Sequence, residues 1–531
     1  MKVIVCDPIS PKGIELLQRC DQLDVVVLPK PPSEEELIEL VKDAAALAVR
    51  SETKVTRKVL ESAPLLKVVG RAGVGVDNVD IEAATERGVI VMNTPGGNTI
   101  STAELTFSMM MALARRIPQA HLSMTQGKWD RKKFKGTELN GKTLGILGMG
   151  RIGGEVAKRA IAFGMRVVAY DPYLTLARAK ELQVELVEEL DGIYSVADFI
   201  TVHMPMTDET CGMLNSAAFA KMKDGVRLLN CARGGIINET DLLAAIESGK
   251  VAGAALDVYE KEPLAEDSPI RSNGNIIMTP HLGASTEEAQ ENVGIEVAEQ
   301  IVDLLVSGEV RNAVNLPNLD AKTYAKVKPF ITLGEKLGKL VAQLAPKRNE
   351  KLVITYGGRA AELRSDPITR SMLKGFLEGA GGKDVNQVNV RVMAKALGLV
   401  VEETKSNEET DFNEWIHVAV HSGGEKVISA GGTTFGARNQ PRIVRLNSRT
   451  VEIVPEGVLF IMNNNDRPGM VGHIGMLMGK HNVNIASMTL DRDKVGGQAL
   501  TILNLDSEPP KSLIEEIEKD PDISNVRIVT L

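Results

Sequence analysis

The sequence predicts an α/β protein of several domains, and three observations carry that prediction. Short apolar runs alternate with segments of helical periodicity over residues 1–98, and again over residues 141–285. A G-x-G-x-x-G stands between the first apolar run and the first helical segment of the second set. Residues 457–531 read strand, helix, strand, strand, helix, strand, the ferredoxin-like order. At 531 residues the chain has room for several units of about 100–200 residues each.

In the first set, strands are expected at Val3–Cys6, Val25–Leu28, Ala46–Val49, Lys67–Val69 and Val89–Met92. Polar-faced helices lie between them, one opened by the capping box of Ser33 and Glu36. Thr99–Arg116 reads as a packing helix with a run of methionines, and Gly127–Gly136 as a basic solvated loop. The second set places strands at Thr143–Leu147, Arg166–Tyr170, Phe199–His203, Val226–Asn230, Gly253–Asp257 and Ile276–Met278. A helix over Thr286–Ser307 has nothing left to cover there. It is expected to return to the first unit, with hinges near residues 98 and 286. Beyond a linker at Asn315–Pro317, residues 318–455 read as α+β. Helices are expected at Lys322–Leu344, Ser371–Glu378 and Val392–Leu397, and strands at Leu352–Tyr356, Trp415–His421, Lys426–Ser429, Arg442–Leu446 and Val451–Val454.

The glycine motif has a physical reading. Gly148 allows a tight turn, Gly150 lets the backbone approach a pyrophosphate, and Gly153 lets the helix pack on the strand. The helix N-terminus then offers N–H groups to phosphate. Asp171 follows at the end of the second strand, where an acid can bind the adenosine ribose and repel a 2′-phosphate. The expected cofactor is NAD.

Three charged residues stand beyond the C-terminal ends of strands in this unit: Arg233 in NCARGGIINE, Glu262 in LDVYEKEP and His281 in TPHLGAST. Ligands of open α/β sheets sit at these ends. Hydride removal from a carbinol needs a base for the hydroxyl proton, a carboxylate to orient that base, and a bidentate grip on the substrate carboxylate. Histidine, glutamate and arginine supply them. Each residue alone is as readily an ordinary loop residue or surface ion pair. Arg50 and Arg71, at the ends of strands in the first unit, could add cations for a second anionic group, and the glycines after Arg71 leave N–H groups free.

Composition narrows the classes. The net charge of −8 and the 3% aromatic content leave no basic or base-stacking surface, so no nucleic-acid partner is expected. No apolar run reaches the length of a membrane span. The opening MKVIVCDP reads as a strand rather than a signal peptide, and the four cysteines show neither metal spacing nor a disulfide ladder. A cytoplasmic protein without metal is expected.

Taken together, VRSETKV, GRAGVGVDNVD, GMGRIGGEVAKR, CARGGIINE, LDVYEKEP and TPHLGAST resemble the D-isomer-specific 2-hydroxyacid dehydrogenases over roughly residues 1–316. The resemblance implies two Rossmann-like parallel-sheet domains, the substrate domain being discontinuous (1–98 and 286–316) and the NAD domain spanning 99–285. It implies Arg233 as carboxylate clamp, Glu262 as partner and His281 as acid/base. It also implies cofactor contacts at Arg151, Ile152, Asp171, Cys231, Asp257 and Ala284, beside Gly148, Gly150 and Gly153, and substrate contacts at Arg50, Arg71, Gly75 and Arg233. Position 74 is Val, where some members carry Thr. Asn464–Gly469 and VNIASM from Val483 resemble an ACT domain, a regulatory module of amino-acid metabolism. With residues 317–455 as an intervening α+β domain and 456–531 as the ACT domain, the chain resembles the long form of the family, which implies 3-phospho-D-glycerate as substrate. Asn464, Asp466 and Asn484 then match positions that bind L-serine, and a homotetramer is implied. Two other readings share these residues. One is a different D-2-hydroxyacid dehydrogenase, including one that reduces 2-oxoglutarate. The other is a non-catalytic NAD-sensing protein. The extra C-terminal domains weigh against the first. The ACT-like end and the lack of a disordered partner-binding segment weigh against the second.

Overall fold

Five apolar runs form a parallel sheet: β1 (Lys2–Val5), β2 (Asp24–Val27), β3 (Ala44–Val49), β4 (Val68–Arg71) and β5 (Ile90–Asn93). The computed structural model describes residues 1–531 except 318, 320, 383, 409, 410 and 437. The strand order is β2-β1-β3-β4-β5, doubly wound, with a switch point between β1 and β3. β3 reads AAALAV and is buried at every position, as a strand covered on both faces must be.

The second sheet comprises β6 (Thr143–Leu147), β7 (Arg166–Tyr170), β8 (Glu185–Leu186), β9 (Phe199–Val202), β10 (Val226–Asn230), β11 (Val251–Leu256) and β12 (Ile276–Met278). All its pairings are parallel. Its order, β12-β11-β10-β9-β6-β7-β8, is that of a dinucleotide-binding sheet with its switch point between β6 and β9. The helix Thr99–Arg115 packs on this sheet, with Met109, Met110 and Leu113 in a core shared with Leu144, Ile146 and Ala255. Arg116 in the left-handed region ends that helix where the sequence placed its end, and a second helix, Ile117–Thr125, follows, to which the sequence reading assigned nothing.

The helix Glu287–Val302 returns to the first sheet. Its Val293, Val297 and Ile301 join Val3, Val5 and Val68 in one core. It lies so close to the helix Pro11–Gln18 that a Cβ on Gly13 would stand 2.3 Å from the Gly294 carbonyl oxygen. Its regular part ends at Val302 in a π-helical turn, Asp303–Ser307, earlier than the apolar pattern suggested.

Beyond residue 320, β13 (Lys351–Gly358), β14 (Val400–Ser406), β15 (Glu414–Ser422), β16 (Glu425–Phe435), β17 (Gln440–Leu446) and β18 (Arg449–Ile453) make a mixed sheet in the order β14-β13-β15-β16-β17-β18. β14, VVEETKS, is an exposed edge strand parallel to β13, and its polar sequence hid it. The last four strands, β19 (Val458–Asn465), β20 (Ile485–Arg492), β21 (Gln498–Leu505) and β22 (Ile523–Thr530), are antiparallel in the order β20-β21-β19-β22. One face carries the helices Met470–Lys480 and Lys511–Glu518. The other face, with Leu459, Ile461, Ile502 and Val529, joins Leu337 and Leu340 of the helix Ala321–Leu344 and Ile354 and Val418 of the mixed sheet in a single core. That is an α+β domain and a ferredoxin-like domain sealed face to face.

Among the described residues, no helix is long and apolar enough to cross a membrane. Among the same residues, no group of three or more His, Cys, Asp and Glu is placed to hold a metal ion.

Candidate active site

The two parallel sheets present their C-terminal strand ends to one cleft. On the second sheet, β6 leads into the glycine turn. Gly148 has φ 96°, and a Cβ there would meet the His203 carbonyl oxygen at 2.6 Å. A Cβ on Gly153 would stand 2.1 Å from the Gly148 carbonyl oxygen, whereas one on Gly150 would point into open space. The two outer glycines therefore serve packing, and the middle one leaves room for a ligand. The helix Arg151–Ala162 starts here, with Arg151 and Ile152 in its first turn at the mouth of the cleft. Asp171, at the end of β7, accepts hydrogen bonds from Met149 N–H and Tyr173 N–H, both at 2.8 Å. That fixes the acid against the glycine turn, where a ribose would lie. These features fit a dinucleotide.

Beyond β10, the buried Asn230 amide donates to the Arg233 carbonyl at 2.7 Å and its oxygen accepts from Ala232 N–H at 3.0 Å. The loop that carries Arg233 is thus held from beneath. Cys231 is buried against Met109, and burial pushes its thiol up to about 12. It reaches a ligand through backbone or packing and not as a thiolate.

Beyond β11 and β12, the buried Asp257 organises the loop that bears His281. Its carboxylate accepts from the Thr279 hydroxyl at 2.6 Å, Leu282 N–H at 2.7 Å and Gly283 N–H at 2.9 Å. His281, between those last three donors, has φ 57° and donates its own N–H to the Asp257 carbonyl at 2.9 Å. The Asp257 side chain is fully buried beneath the loop it fixes. Ala284 closes that loop.

The His281 ring meets Glu262: Nδ1 to Oε2 is 2.6 Å. The other Glu262 oxygen accepts from Tyr259 N–H at 3.1 Å. The hydrogen bond that His281 donates to Glu262 raises the His281 pKa against the opposing effect of burial, and the charges of Glu262 and Asp257 add to it. Burial works to raise the Glu262 pKa, but the His281 bond, its charge and the Tyr259 N–H outweigh it and hold the carboxyl below its ordinary range. The two shifts agree. Nδ1 is engaged, so Nε2 is the ring nitrogen left to face a substrate.

Facing these groups across the cleft are the ends of β3 and β4. Asp7, buried after β1, accepts from Arg50 N–H, Thr53 N–H and the Thr53 hydroxyl, and so shapes the turn that bears Arg50. Arg71 closes β4, with its guanidinium lying against Gly73. Burial lowers its pKa to about 10, and the nearby charges of Arg233 and Arg50 deepen the shift. Arg233 reaches over from the other sheet: a Cβ on Gly75 would stand 2.1 Å from Arg233 Nη2. The structure thus brings Arg50, Arg71, Gly75 and Arg233 into one cationic pocket beside the His281–Glu262 pair. Sequence reasoning missed Asp7, Asn230 and Thr279, and did not see that Asp257 would be a buried anchor. Polar residues at the C-terminal ends of parallel strands were the available signal.

At the far end of the chain, the three other singled-out residues separate. Asn464 is buried, accepting from the Thr501 hydroxyl at 2.7 Å. Asp466 accepts from Arg492 at 3.1 Å and Gly496 N–H at 3.0 Å. Both stand where β19 ends, Asn464 opposite Ala499 and Asp466 with its N–H on the Gly497 carbonyl. Asn484 stands beyond the other end of β21, its amide donating to Asp506 at 2.6 Å. Six or seven residues of extended strand, about 20 Å, lie between the two places. A single chain does not join them in one site.

Residues 107–283 match the model of the D-isomer specific 2-hydroxyacid dehydrogenase NAD binding domain, residues 326–447 that of the D-3-phosphoglycerate dehydrogenase intervening domain, and residues 458–522 that of the ACT domain. The chain is 45% identical to a D-3-phosphoglycerate dehydrogenase of Archaeoglobus fulgidus and 43% identical to one of Methanocaldococcus jannaschii, covering 100% of both partners in each case. Among solved structures, the NAD+-bound 3-phosphoglycerate dehydrogenase of Entamoeba histolytica superposes with a TM-score of 0.50 at 31% identity. The match covers 59% of this chain and 98% of that one.

Proposed function

The chain belongs to the D-3-phosphoglycerate dehydrogenases of the D-isomer-specific 2-hydroxyacid dehydrogenase family, and on that footing we propose that it oxidises 3-phospho-D-glycerate to 3-phosphooxypyruvate, opening phosphorylated L-serine biosynthesis. The cofactor is NAD, which supplies the hydride acceptor when bound. Gly148, Gly150 and Gly153 with the helix start receive its pyrophosphate, Asp171 its ribose, and Arg151 and Ile152 flank it. Cys231, Asp257 and Ala284 shape the nicotinamide side, Asp257 through the loop it anchors.

Arg233 grips the substrate carboxylate beside the Gly75 backbone, while Arg50 and Arg71 take the phosphate end. His281 Nε2 receives the hydroxyl proton as the carbinol hydrogen leaves, and returns it in the reverse reaction. Glu262 holds the ring through Nδ1 and stabilises the imidazolium. The observation that carries this reading is the 2.6 Å His281–Glu262 contact beside the arginine pocket.

The functional units are residues 1–98 with 286–316 for substrate, 99–285 for NAD, 317–455 intervening and 456–531 regulatory. L-Serine is the effector, bound by Asn464, Asp466 and Asn484. Because one chain holds these at opposite ends of a sheet, the site needs two copies, which accords with a homotetramer. The enzyme works in the cytoplasm. The test follows NADH absorbance with 3-phosphooxypyruvate, with and without L-serine. Rapid oxidation slowed by serine is expected. Binding of NADH without turnover would overturn the catalytic reading, and turnover indifferent to serine would overturn the effector assignment alone.

A further inference from the structure

We propose that Asp77 is a positioning residue for this reaction, an internal counter-anion that holds the Arg233 guanidinium across the cleft and competes with the bound anion for it. The inference rests on the substrate reading above. Asp77 Oδ2 lies 3.4 Å from Arg233 Nε. Among the described residues, this is the ion pair that crosses between the two parallel-sheet lobes away from their hinges.

Each side of the pair is rigidly mounted. The loop after β4 is tied to the turn after β3 by Asn78, whose amide donates to the Arg50 carbonyl at 2.9 Å and the Thr53 carbonyl at 2.6 Å. Asn93 donates to the Val74 carbonyl at 2.6 Å from the neighbouring strand end. Arg233 is held from its own lobe by Asn230, and its Nη1 donates to the Ala232 carbonyl at 2.8 Å. With one Nη1 proton given to Ala232 and Nε facing Asp77, the Nη2 edge lies over Gly75, where a substrate carboxylate would meet it.

The pocket also explains why an acid belongs there. Three guanidiniums converge, and Asp77 is a carboxylate set among them whose charge opposes their mutual repulsion. Its side chain is 79% exposed and that of Arg233 29%. A pair so exposed adds little to stability, so its use is orientation, and an incoming anion meets it directly. Removing the charge therefore has two effects of opposite sense. A simple anion binds more tightly, because nothing inside the pocket competes, while turnover falls, because the guanidinium is no longer held in one plane.

The test uses the full-length Asp77→Asn protein. Calorimetry with inorganic sulfate on the NADH-loaded enzyme is expected to give about threefold tighter binding. The kcat for 3-phosphooxypyruvate reduction is expected to fall about tenfold, and Asp77→Glu to recover part of it. Sulfate binding unchanged or weaker, or kcat unchanged, overturns the proposal. Should Asp77→Asn fold poorly, Asp77→Ser carries the same two expectations. Sulfate binding is read without turnover, so a wild-type enzyme inert towards 3-phosphooxypyruvate would refute the substrate reading while the sulfate comparison still judged Asp77.

Discussion

Around the cleft, two separate sheets meet through charge: Asp77 reaches Arg233, and the strand ends supply Arg50, Arg71, Glu262 and His281. In the C-terminal half, two sheets meet through apolar surface: Leu459, Ile461, Ile502 and Val529 close onto Leu337, Leu340, Ile354 and Val418. The first junction spans exposed polar groups and can part. The second buries a continuous core and cannot part without exposing it. One pair of sheets meets across a polar cleft, the other through a closed apolar core. The comparison also places the energy: substitutions at the first junction act on rate, and substitutions at the second act on stability.

The largest expected effect lies in the cleft. His281→Ala removes the proton acceptor and slows turnover by about 10²–10⁴-fold. NADH binding, read by fluorescence, and thermal unfolding stay near wild type, because His281 is half exposed and packs little apolar surface. A large drop in melting temperature would show that the cleft residues also carry the fold, and the contrast would fail. Leu459→Ala is the matching change in the sealed half. Leu459 is fully buried in the shared core, so about 2–5 kcal/mol of stability goes with it. Turnover measured without serine is expected to hold. The mixed and ferredoxin-like sheets should unfold in one transition. If the last four strands melted alone, the single core would be refuted.

Next in size is a pH effect. Folding raises the His281 pKa above its ordinary 6.5, so the ion pair's contribution to stability is complete below that value and is lost as pH rises through the raised one. The Glu262 pKa is depressed, so its contribution is lost as pH falls through the depressed value. In turnover, reduction needs the protonated ring and therefore persists to higher pH than a free histidine allows, whereas oxidation gains as the ring deprotonates. Glu262→Gln removes the charge that raises the pKa, and both limbs of the rate profile are expected to move to lower pH. A profile that stays in place would detach Glu262 from the titration of His281.

How much of this was legible in the sequence follows the same contrast. The dinucleotide turn was readable because each glycine has a separate steric reason, visible again in the space around Gly148, Gly150 and Gly153. Arg233, Glu262 and His281 could be picked out because they follow apolar strands, and strand ends are where such sheets place ligands. The supports could not. Nothing in LDVY announces that the Asp257 carboxylate would accept three hydrogen bonds from the loop that bears His281. β14 was hidden because an exposed edge strand carries no alternating pattern. That Asn464 and Asn484 stand at opposite ends of one sheet was not readable, because sequence gives residue types and not which end of a sheet they reach.

The smallest expected effect concerns the seam between the halves. Among the described residues, one hydrogen bond joins the first sheet's lobe to the intervening one: the Asn386 amide donates to the Gly88 carbonyl at 2.9 Å. Gly88, at φ 71°, lies so close that a Cβ would stand 2.2 Å from Asn386 Nδ2. On the opposite side, the Asn315 amide donates to the Val89 carbonyl, so the turn into β5 is gripped from both sides. Asn386 is itself held, accepting from Val388 and Asn389 N–H groups. Asn386→Ala loses one partly buried hydrogen bond, about 0.5–1.5 kcal/mol. Because neither core is touched, each half keeps its own stability, and calorimetry is expected to show the two transitions drawing slightly apart with kcat unchanged. A tenfold loss of turnover would mean that the sealed half steers the cleft through this contact, and that the two halves are less separate than their junctions suggest.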